Sequence, residues 1–463
     1  MRALGTTTMR ALLATTIVAT AIFVAACEPT DEAWPTEPTD LNPPADERED
    51  ETAGDADDDG ASPDLDEWPT CSLVARSGEG YLEMCNGVRV LHVSGSPYEM
   101  GYQMGELLRE PVTEIIHLVR NYIDPWGAVW RLLQNVPVNL EPNIRPEFAE
   151  EMRGLVDGLN NDVTYEEIVA GNCLGDIFGA IRAFMDNYLD VEFCSLTASW
   201  GDATADGELI ATRNFDYMNL FHRFNYVAVV NPDSGHAFVH TGITGLIGTH
   251  VGMSDIGLTG ALAYNSSYDS DMSGVPMLLL LREAIQYSDS VDEALDVIRA
   301  NDRTMGLNYM FTDGFTKEAQ VIEVSGGKSA LRTGDMGDYV IATNHYVAPE
   351  MIAEQKGYEP EHTTQCRYHR LNQLFEEHYG KIDLALAGQI VRDHWDPSIN
   401  AVRPWRTTVC RHDDLEYTPG TIMADFVSTT TPSVIMKPID GEYCTTVSRH
   451  ACEMPYLCLR PFN

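Results

Sequence analysis

Cys194-Ser195-Leu196-Thr197 opens a run that passes an Asp206-Gly207 turn and returns as Ala211-Thr212-Arg213-Asn214-Phe215-Asp216-Tyr217. This pattern predicts strand, tight turn, strand, with the cysteine at the head of the first strand. A hairpin lays the second strand beside the first, so a thiol, a guanidinium and a carboxylate are expected to meet at one sheet edge. Together they make a nucleophile with an electrostatic partner set. A lone strand cysteine is also an ordinary small core residue, so the weight of this reading rests on the rest of the chain.

Outward from the hairpin the apolar period stays at two. Strands are expected at Glu208–Arg213, Tyr226–Val230, Ala237–Thr241, Gly257–Tyr264, Tyr309–Thr312, Gln320–Val324 and Tyr339–Thr343. A long helix from Pro276 to about Ala300 interrupts them, restarted by the cap Ser290-Val291-Asp292-Glu293. A last hairpin is expected over Thr421–Met436, turning at Thr430-Thr431-Pro432-Ser433. Ahead of the cysteine, residues 71–193 read as mainly helical. Ser96-Pro97-Tyr98-Glu99 and Thr164-Tyr165-Glu166-Glu167 are capping boxes. Gly101 and Gly105, four apart on one helix face, permit close packing. Two sheets with helices outside them, an α+β fold, fit this order.

The 463-residue chain carries a net charge of −41. Seventeen acidic residues stand against Arg48 between positions 28 and 68. So few apolar residues cannot offset the entropy of ordering, and this segment reads as a disordered tether. Binding phosphate backbones needs clustered Lys and Arg, so a nucleic-acid partner is excluded. Ahead of the tether, Arg2 and Arg10 precede the apolar run Leu12–Val24 and the small-residue site Val24-Ala25-Ala26-Cys27. Residues 1–27 therefore resemble a bacterial lipoprotein signal, with Cys27 lipidated. The expectation is a lipid-anchored protein of the bacterial cell envelope, at the outer membrane, with the membrane as a partner. Asp55-Ala56-Asp57-Asp58-Asp59-Gly60 with Asp66 has the spacing of a calcium loop. Ser62-Pro63 and the lack of flanking helical pattern speak against it, and no metal is assigned there.

Ten cysteines in an exported chain point to oxidising conditions. With Cys27 and Cys194 set aside, eight remain for disulfides. Cys71 with Cys85 is the nearest local pair. Cys444, Cys452 and Cys458 crowd the C-terminus, so at least one needs a distant partner or stays a thiol. Cys366-Arg367-Tyr368-His369 and Cys410-Arg411-His412 hold zinc-type ligands but lack the C-x₂-C spacing. No metal and no cofactor are expected. G-x-S-x-G, H-E-x-x-H and a Gly-rich phosphate loop are all absent from the sequence.

Five motifs then stand in order. They are Gly95-Ser96-Pro97-Tyr98-Glu99-Met100-Gly101-Tyr102, the Cys194 hairpin ending Arg213-Asn214-Phe215-Asp216, and Gly257-Leu258-Thr259-Gly260-Ala261-Leu262-Ala263-Tyr264-Asn265, followed by Thr343-Asn344-His345-Tyr346 and Cys410-Arg411-His412. In these the chain resembles the N-terminal-nucleophile (Ntn) hydrolases. The penicillin acyltransferase (peptidase C45-like) family is nearest; choloylglycine hydrolases and acid ceramidase are more distant. The resemblance implies a four-layer αββα sandwich of two antiparallel sheets behind a helical prosegment. On that division residues 69–193 form one chain, 194–440 the catalytic chain and 441–463 a Cys-rich tail.

The resemblance also implies self-cleavage between Phe193 and Cys194. The freed α-amine, with a pKa of about 8 in model peptides, would act as base. Asp216 would orient that amine, and Arg213 would stabilise thiolate or substrate. Asn344 and Asn265 would be the oxyanion donors, with Arg411 near the site. The expected reaction is acyl transfer from, or hydrolysis of, a linear N-acyl amide through a thioester. The expected partner is a small N-acyl amide or a lipid-like substrate. A lipid deacylase on the same scaffold and a catalytically silent ligand-binding lipoprotein are the alternatives.

Overall fold

The computed structural model describes residues 69–462, apart from 124–139, 161, 178, 180–192, 271–272, 335–336, 357–362 and 413–426. The Cys27 site, the acidic segment 28–68 and its calcium-like loop lie outside the described residues.

Three strands come first: β1 (Cys71–Ser77), β2 (Gly80–Cys85) and β3 (Val88–Gly95). They occupy the start of the segment expected to be mainly helical. Positive φ angles at Gly78, Asn86 and Gly87 close their tight turns, and the Cys71–Cys85 disulfide joins β1 to β2. Helices α1 (Pro97–Leu107), α2 (Arg109–Ile123), α3 (Pro146–Gly158) and α4 (Tyr165–Asn172) follow. Both capping boxes form: Ser96 and Thr164 accept from the N–H groups of Glu99 and Glu167, whose carboxylates return to the cap N–H. Helices α1 and α3 approach closely because Gly101 and Gly105 meet Gly154 and Gly158. A Cβ on any of these four would strike backbone of the facing helix.

The remaining strands of the larger sheet and the hairpin run in chain order. They are β4 (Phe193–Ser199), β5 (Ile210–Met218), β6 (Asn225–Pro232), β7 (Phe238–Ile243), β8 (Val251–Ser254) and β9 (Leu258–Asn265). Helices α5 (Met277–Tyr287) and α6 (Val291–Ala300) lead to β10 (Gly306–Asp313), β11 (Glu318–Val324), β12 (Ser329–Thr333) and β13 (Tyr339–Ala342). Then come α7 (Thr363–Glu377), α8 (Leu384–Ile390), the short β14 (Trp395–Asp396) and β15 (Ala401–Val402), and finally β16 (Ser428–Lys437), β17 (Glu442–Val447) and β18 (Leu457–Leu459).

The larger sheet runs β1-β2-β3-β6-β7-β8-β9-β10-β11-β12 and the smaller β13-β4-β5-β16-β17-β18. Among the described residues these strands pair antiparallel except β3 with β6, which is parallel and grafts the N-terminal meander onto the sheet. The sheets face each other, β4 against β9; α5 and α6 cover the larger and α7 and α8 the smaller. This is the four-layer αββα sandwich. Strand alternation sorts the side chains. Leu196, Ala198, Arg213 and Phe215 face inward, among Val239, Leu262 and Tyr309. Ile210, Ile341 and Ile435 face outward, under Leu371, Phe375 and Ile390.

The structure departs from the sequence reading elsewhere too. The helical stretch from Pro276 to Ala300 does restart at the Ser290 cap, but as two separate helices broken at Ser288–Ser290. The β4–β5 hairpin forms, but its connection is longer than a tight turn and includes a 3₁₀ turn at Gly201–Ala203. The turn expected at Thr430–Ser433 is a bulge within one strand, where register shifts against β5. Pro432 lacks an N–H, and a bulge tolerates that within a sheet. Residues 442–447 and 457–459, read as part of a tail, complete the smaller sheet, joined by the Cys444–Cys458 disulfide. Among the described residues no helix is long and apolar enough to cross a membrane.

Candidate active site

Cys194 is the second residue of β4 and is buried. Its register partner on β5 is Phe215, and Arg213 sits opposite Leu196. Residues 194 and 213 therefore project from the same face, into the space between the sheets. There Arg213 Nη2 lies 3.4 Å from Cys194 Sγ, while its Nε donates to the Leu262 carbonyl at 3.2 Å. The guanidinium rests 4.4 Å from the Phe215 ring centroid. A buried cation held this near a thiol favours its thiolate.

Asp216 lies three residues beyond Arg213, so the period of two sends it to the opposite face. Cys194 and Arg213 thus share one face of the hairpin and Asp216 points from the other. Asp216 is instead in register with Phe193, beside the peptide bond that precedes Cys194. Its Oδ1 accepts from Thr430 Oγ1 at 2.5 Å. The Thr430 hydroxyl oxygen accepts in turn from the Arg411 N–H at 2.9 Å, and the Thr430 N–H donates to the Arg411 carbonyl at 3.0 Å. Arg411 is thus fastened by its backbone next to Asp216.

Asn344 follows β13, the neighbour of β4. Its Oδ1 accepts from the Cys194 N–H at 2.7 Å and its Nδ2 donates to the Tyr264 carbonyl at 2.8 Å. The side-chain oxygen therefore faces the Cys194 nitrogen. That orientation positions an amine; it does not aim a donor at an oxyanion. Asn265, at the end of β9, is fully buried and donates from Nδ2 to Asn308 Oδ1 at 2.7 Å. Asn308 in turn donates to the carbonyls of Thr343 and His345, on either side of Asn344. Asn265 supports the loop that carries Asn344.

Sequence reasoning missed Arg367. This α7 side chain is buried and reaches three site groups from Nη1 and Nη2. It donates to the Cys194 carbonyl at 2.5 Å, to Ser195 Oγ at 2.9 Å and to Asn344 Oδ1 at 2.8 Å. Burial pushes its pKa down, Asp216 and Cys194 push it up, and Arg411 pushes it down. The signal was there: Arg367 interrupts the buried stripe Thr363, Thr364, Leu371, Leu374. Thr364 from the same face accepts the Asn344 N–H at 2.7 Å.

An apolar pocket opens near this network. It is lined by Ile115 and Val119 of α2, by Ile168 of α4, by Tyr217 of β5, and by Phe221 and His250 beyond the hairpin. His250 links it to the thiol, because its ring lies 4.6 Å from Phe215, on which Arg213 rests. Burial first, then Arg213 and His240, push the His250 pKa well below its ordinary value. A neutral, desolvated imidazole there is a wall of the pocket.

The four-layer sandwich and the β4–β5 hairpin are the arrangement that the resemblance to the N-terminal-nucleophile hydrolases implies. Residues 203–410 match the model of the acyl-coenzyme A:6-aminopenicillanic acid acyl-transferase family. The matched stretch contains Arg213, Asp216, Asn265, Asn344 and Arg367, begins after Cys194 and ends just before Arg411. An uncharacterized protein of Archaeoglobus fulgidus is 28% identical over 365 residues, 70% of this chain and 60% of that protein. Protein dcd1A of Dictyostelium discoideum is 28% identical over 269 residues, 50% of this chain and 58% of that one. The chain thus spans about three fifths of the length of these relatives. Among solved structures, the N-acylethanolamine-hydrolyzing acid amidase ortholog of Caenorhabditis elegans overlaps with a TM-score of 0.36 and 13% identity, covering 53% of this chain and 93% of that one. Penicillin V acylase from Agrobacterium tumefaciens overlaps with a TM-score of 0.36 and 15% identity, covering 55% and 83%. Overlaps this partial do not bear on activity.

Proposed function

We propose that this protein is a cysteine Ntn hydrolase or acyltransferase, activated by cleavage before Cys194 and acting on linear N-acyl amides with an apolar acyl group. The observation that carries the reading is the hold on Cys194: its nitrogen on Asn344, its carbonyl on Arg367 and its sulfur on Arg213. In the precursor the thiol attacks the Phe193 carbonyl carbon, the C–N bond to Cys194 breaks, and water releases the resulting thioester. The α-amine so freed stays in place, donating to Asn344 Oδ1 and keeping its lone pair for the thiol proton. In turnover the thiolate attacks the substrate carbonyl, the amine passes the proton to the leaving nitrogen, and water or an acceptor amine takes the acyl group. Neutral, buried His250 leaves the α-amine as the base. The pocket lined by Tyr217, Phe221 and Ile115 supports an apolar acyl chain. The Val24-Ala25-Ala26-Cys27 site supports lipid anchoring in a bacterial envelope.

The test is N-terminal sequencing of the purified protein followed by a substrate panel. The larger fragment should begin Cys-Ser-Leu-Thr, and Cys194→Ala should remain uncut. Processed enzyme should turn over N-acyl amino acids, penicillins or conjugated bile salts. Asn344→Ala should slow both processing and turnover, because it removes the acceptor that holds the Cys194 nitrogen. Turnover of p-nitrophenyl esters alone would favour the lipid deacylase. An intact but active chain would overturn the mechanism.

A further inference from the structure

Arg367 approaches Cys194 from α7, on the outer side of the smaller sheet, while the thiol points inward. Its side chain is fully buried. Nη1 donates to the Cys194 carbonyl at 2.5 Å and to Ser195 Oγ at 2.9 Å, and Nη2 donates to Asn344 Oδ1 at 2.8 Å. Thr364, one turn earlier on α7, accepts the Asn344 N–H at 2.7 Å. Backbone and side chain of Asn344 are thus both held by this helix.

Asn344 Oδ1 also accepts the Cys194 N–H at 2.7 Å. An amide oxygen has two lone pairs, so the guanidinium and the Cys194 nitrogen take one each. Two donors on one oxygen stand within about 6 Å of each other, the range in which a like charge weakens an amine's hold on a proton. Arginine stays charged throughout the working pH range. A carbonyl and a hydroxyl could equally be tied by a neutral amide, and burying a charge is costly. The charge itself is therefore what calls for a role.

The other groups facing this point come from every element packed on β4. From β5, Arg213 lies 3.4 Å from the thiol and Asp216 is in register with Phe193. Arg411, tied to Thr430 of β16, repels Arg367, while Asp216 and Cys366 attract it. Tyr264 of β9 offers its carbonyl to Asn344, and His345 Nδ1 meets Thr364 Oγ1 at 2.9 Å. The guanidinium groups of Arg213, Arg367 and Arg411 stand against the carboxylate of Asp216, so the balance around the Cys194 nitrogen is positive.

Granting cleavage before Cys194, we propose that the buried positive charge of Arg367 keeps the freed α-amine an unprotonated base. The amine lone pair then takes the Sγ proton. Sulfur becomes a thiolate beside Arg213, and nitrogen becomes an ammonium beside Arg367. That ammonium gives its proton to the leaving nitrogen as the substrate C–N bond breaks and the S–C bond stands in its place. No proton is gained or lost. Arg213 steadies the charge on sulfur; Arg367 makes the charge on nitrogen short-lived.

The experiment titrates the amine in the processed full-length protein. With Cys194 Sγ capped as a reversible methyl disulfide, acetylation of the α-amine is followed across pH by mass spectrometry of the Cys194 peptide. The pH profile of kcat/KM is measured beside it on uncapped enzyme. The wild-type amine should titrate at least about one pH unit below the usual value of about 8. Arg367→Gln should raise the amine's proton affinity on the order of tenfold or more and move the acid limb of kcat/KM up with it. Arg367→Lys keeps the charge and should keep the limb where wild type has it. If Arg367→Gln fails to fold or to cleave, the wild-type titration still decides. An amine at its usual value in a cleaved, active enzyme would overturn this role of Arg367 and leave the proposed amidase standing. So would an Arg367→Gln enzyme that is slower with an unmoved limb. A chain active without cleavage would remove the proposed function and the base together.

Discussion

Asp176 is a buried carboxylate outside the Cys194 network, and its chemistry is pH-dependent. Its Oδ1 accepts from the Met277 N–H at 2.9 Å, at the start of α5, and from Thr304 Oγ1 at 2.5 Å. Burial raises its pKa to about 6, against those hydrogen bonds, which lower it. An acid with a higher pKa folded than unfolded binds more protons in the native state. Stability then falls as pH rises from the unfolded value near 4 through about 6. The loss is on the order of 2–3 kcal/mol, because each tenfold change in proton affinity is worth about 1.4 kcal/mol. Urea melts of wild type and Asp176→Asn across that range should show wild type losing stability relative to the variant as pH rises. Parallel curves would mean that Asp176 ionises as it does in the unfolded chain.

Between elements, a buried bidentate ion pair links α3 to α5. Arg282 Nη1 and Nη2 meet Glu151 Oε1 and Oε2 at 2.9 and 2.6 Å, with both side chains buried. The guanidinium also donates to the Ile247 carbonyl and to Gln286 Oε1, and lies 4.8 Å from the Phe148 ring centroid. Removing one partner leaves a desolvated charge, which costs about 3–5 kcal/mol. Glu151→Ala should lower stability by that amount, read from denaturant midpoints. A loss below about 1 kcal/mol, the worth of an exposed pair, would mean that water reaches Arg282. The α1–α3 contact beside it depends on Gly101 and Gly105, which the sequence displayed by their spacing; their partners Gly154 and Gly158 emerged only when the helices met.

Across the whole molecule, residues before and after Cys194 are interleaved. Strands β1 to β3 extend the larger sheet, α2 and α4 line the apolar pocket, and Glu151 pairs with Arg282. Cleavage before Cys194 would cut the chain without opening any of these contacts. The two fragments should co-elute in gel filtration under native conditions and separate only in denaturant. Separation in buffer alone would contradict the interleaved fold.

The amino-acid sequence determined the local facts. Alternation wrote the β4–β5 hairpin, Ser96 and Thr164 wrote helix starts, and Cys71 and Cys85 sat close enough in sequence to suggest their pairing. It also marked Cys194, Arg213, Asp216, Asn344, Asn265 and Arg411 as a set, through motifs that occur in a family's order. Contacts between distant segments were decided by the tertiary structure, because they depend on which faces the sheets bury. Arg367 reaches Cys194 from 173 positions away. Asp216 lies on the far face of β5 because a strand alternates every residue. Asn344 turns its oxygen to the Cys194 nitrogen because Tyr264, on a strand of the other sheet, takes its N–H. Cys452 meets Cys410 in a disulfide 42 positions apart only because β17 and β18, which flank Cys452, close the smaller sheet. Local periodicity is encoded residue by residue; a buried polar cluster exists only once packing has removed water from all its members at the same time.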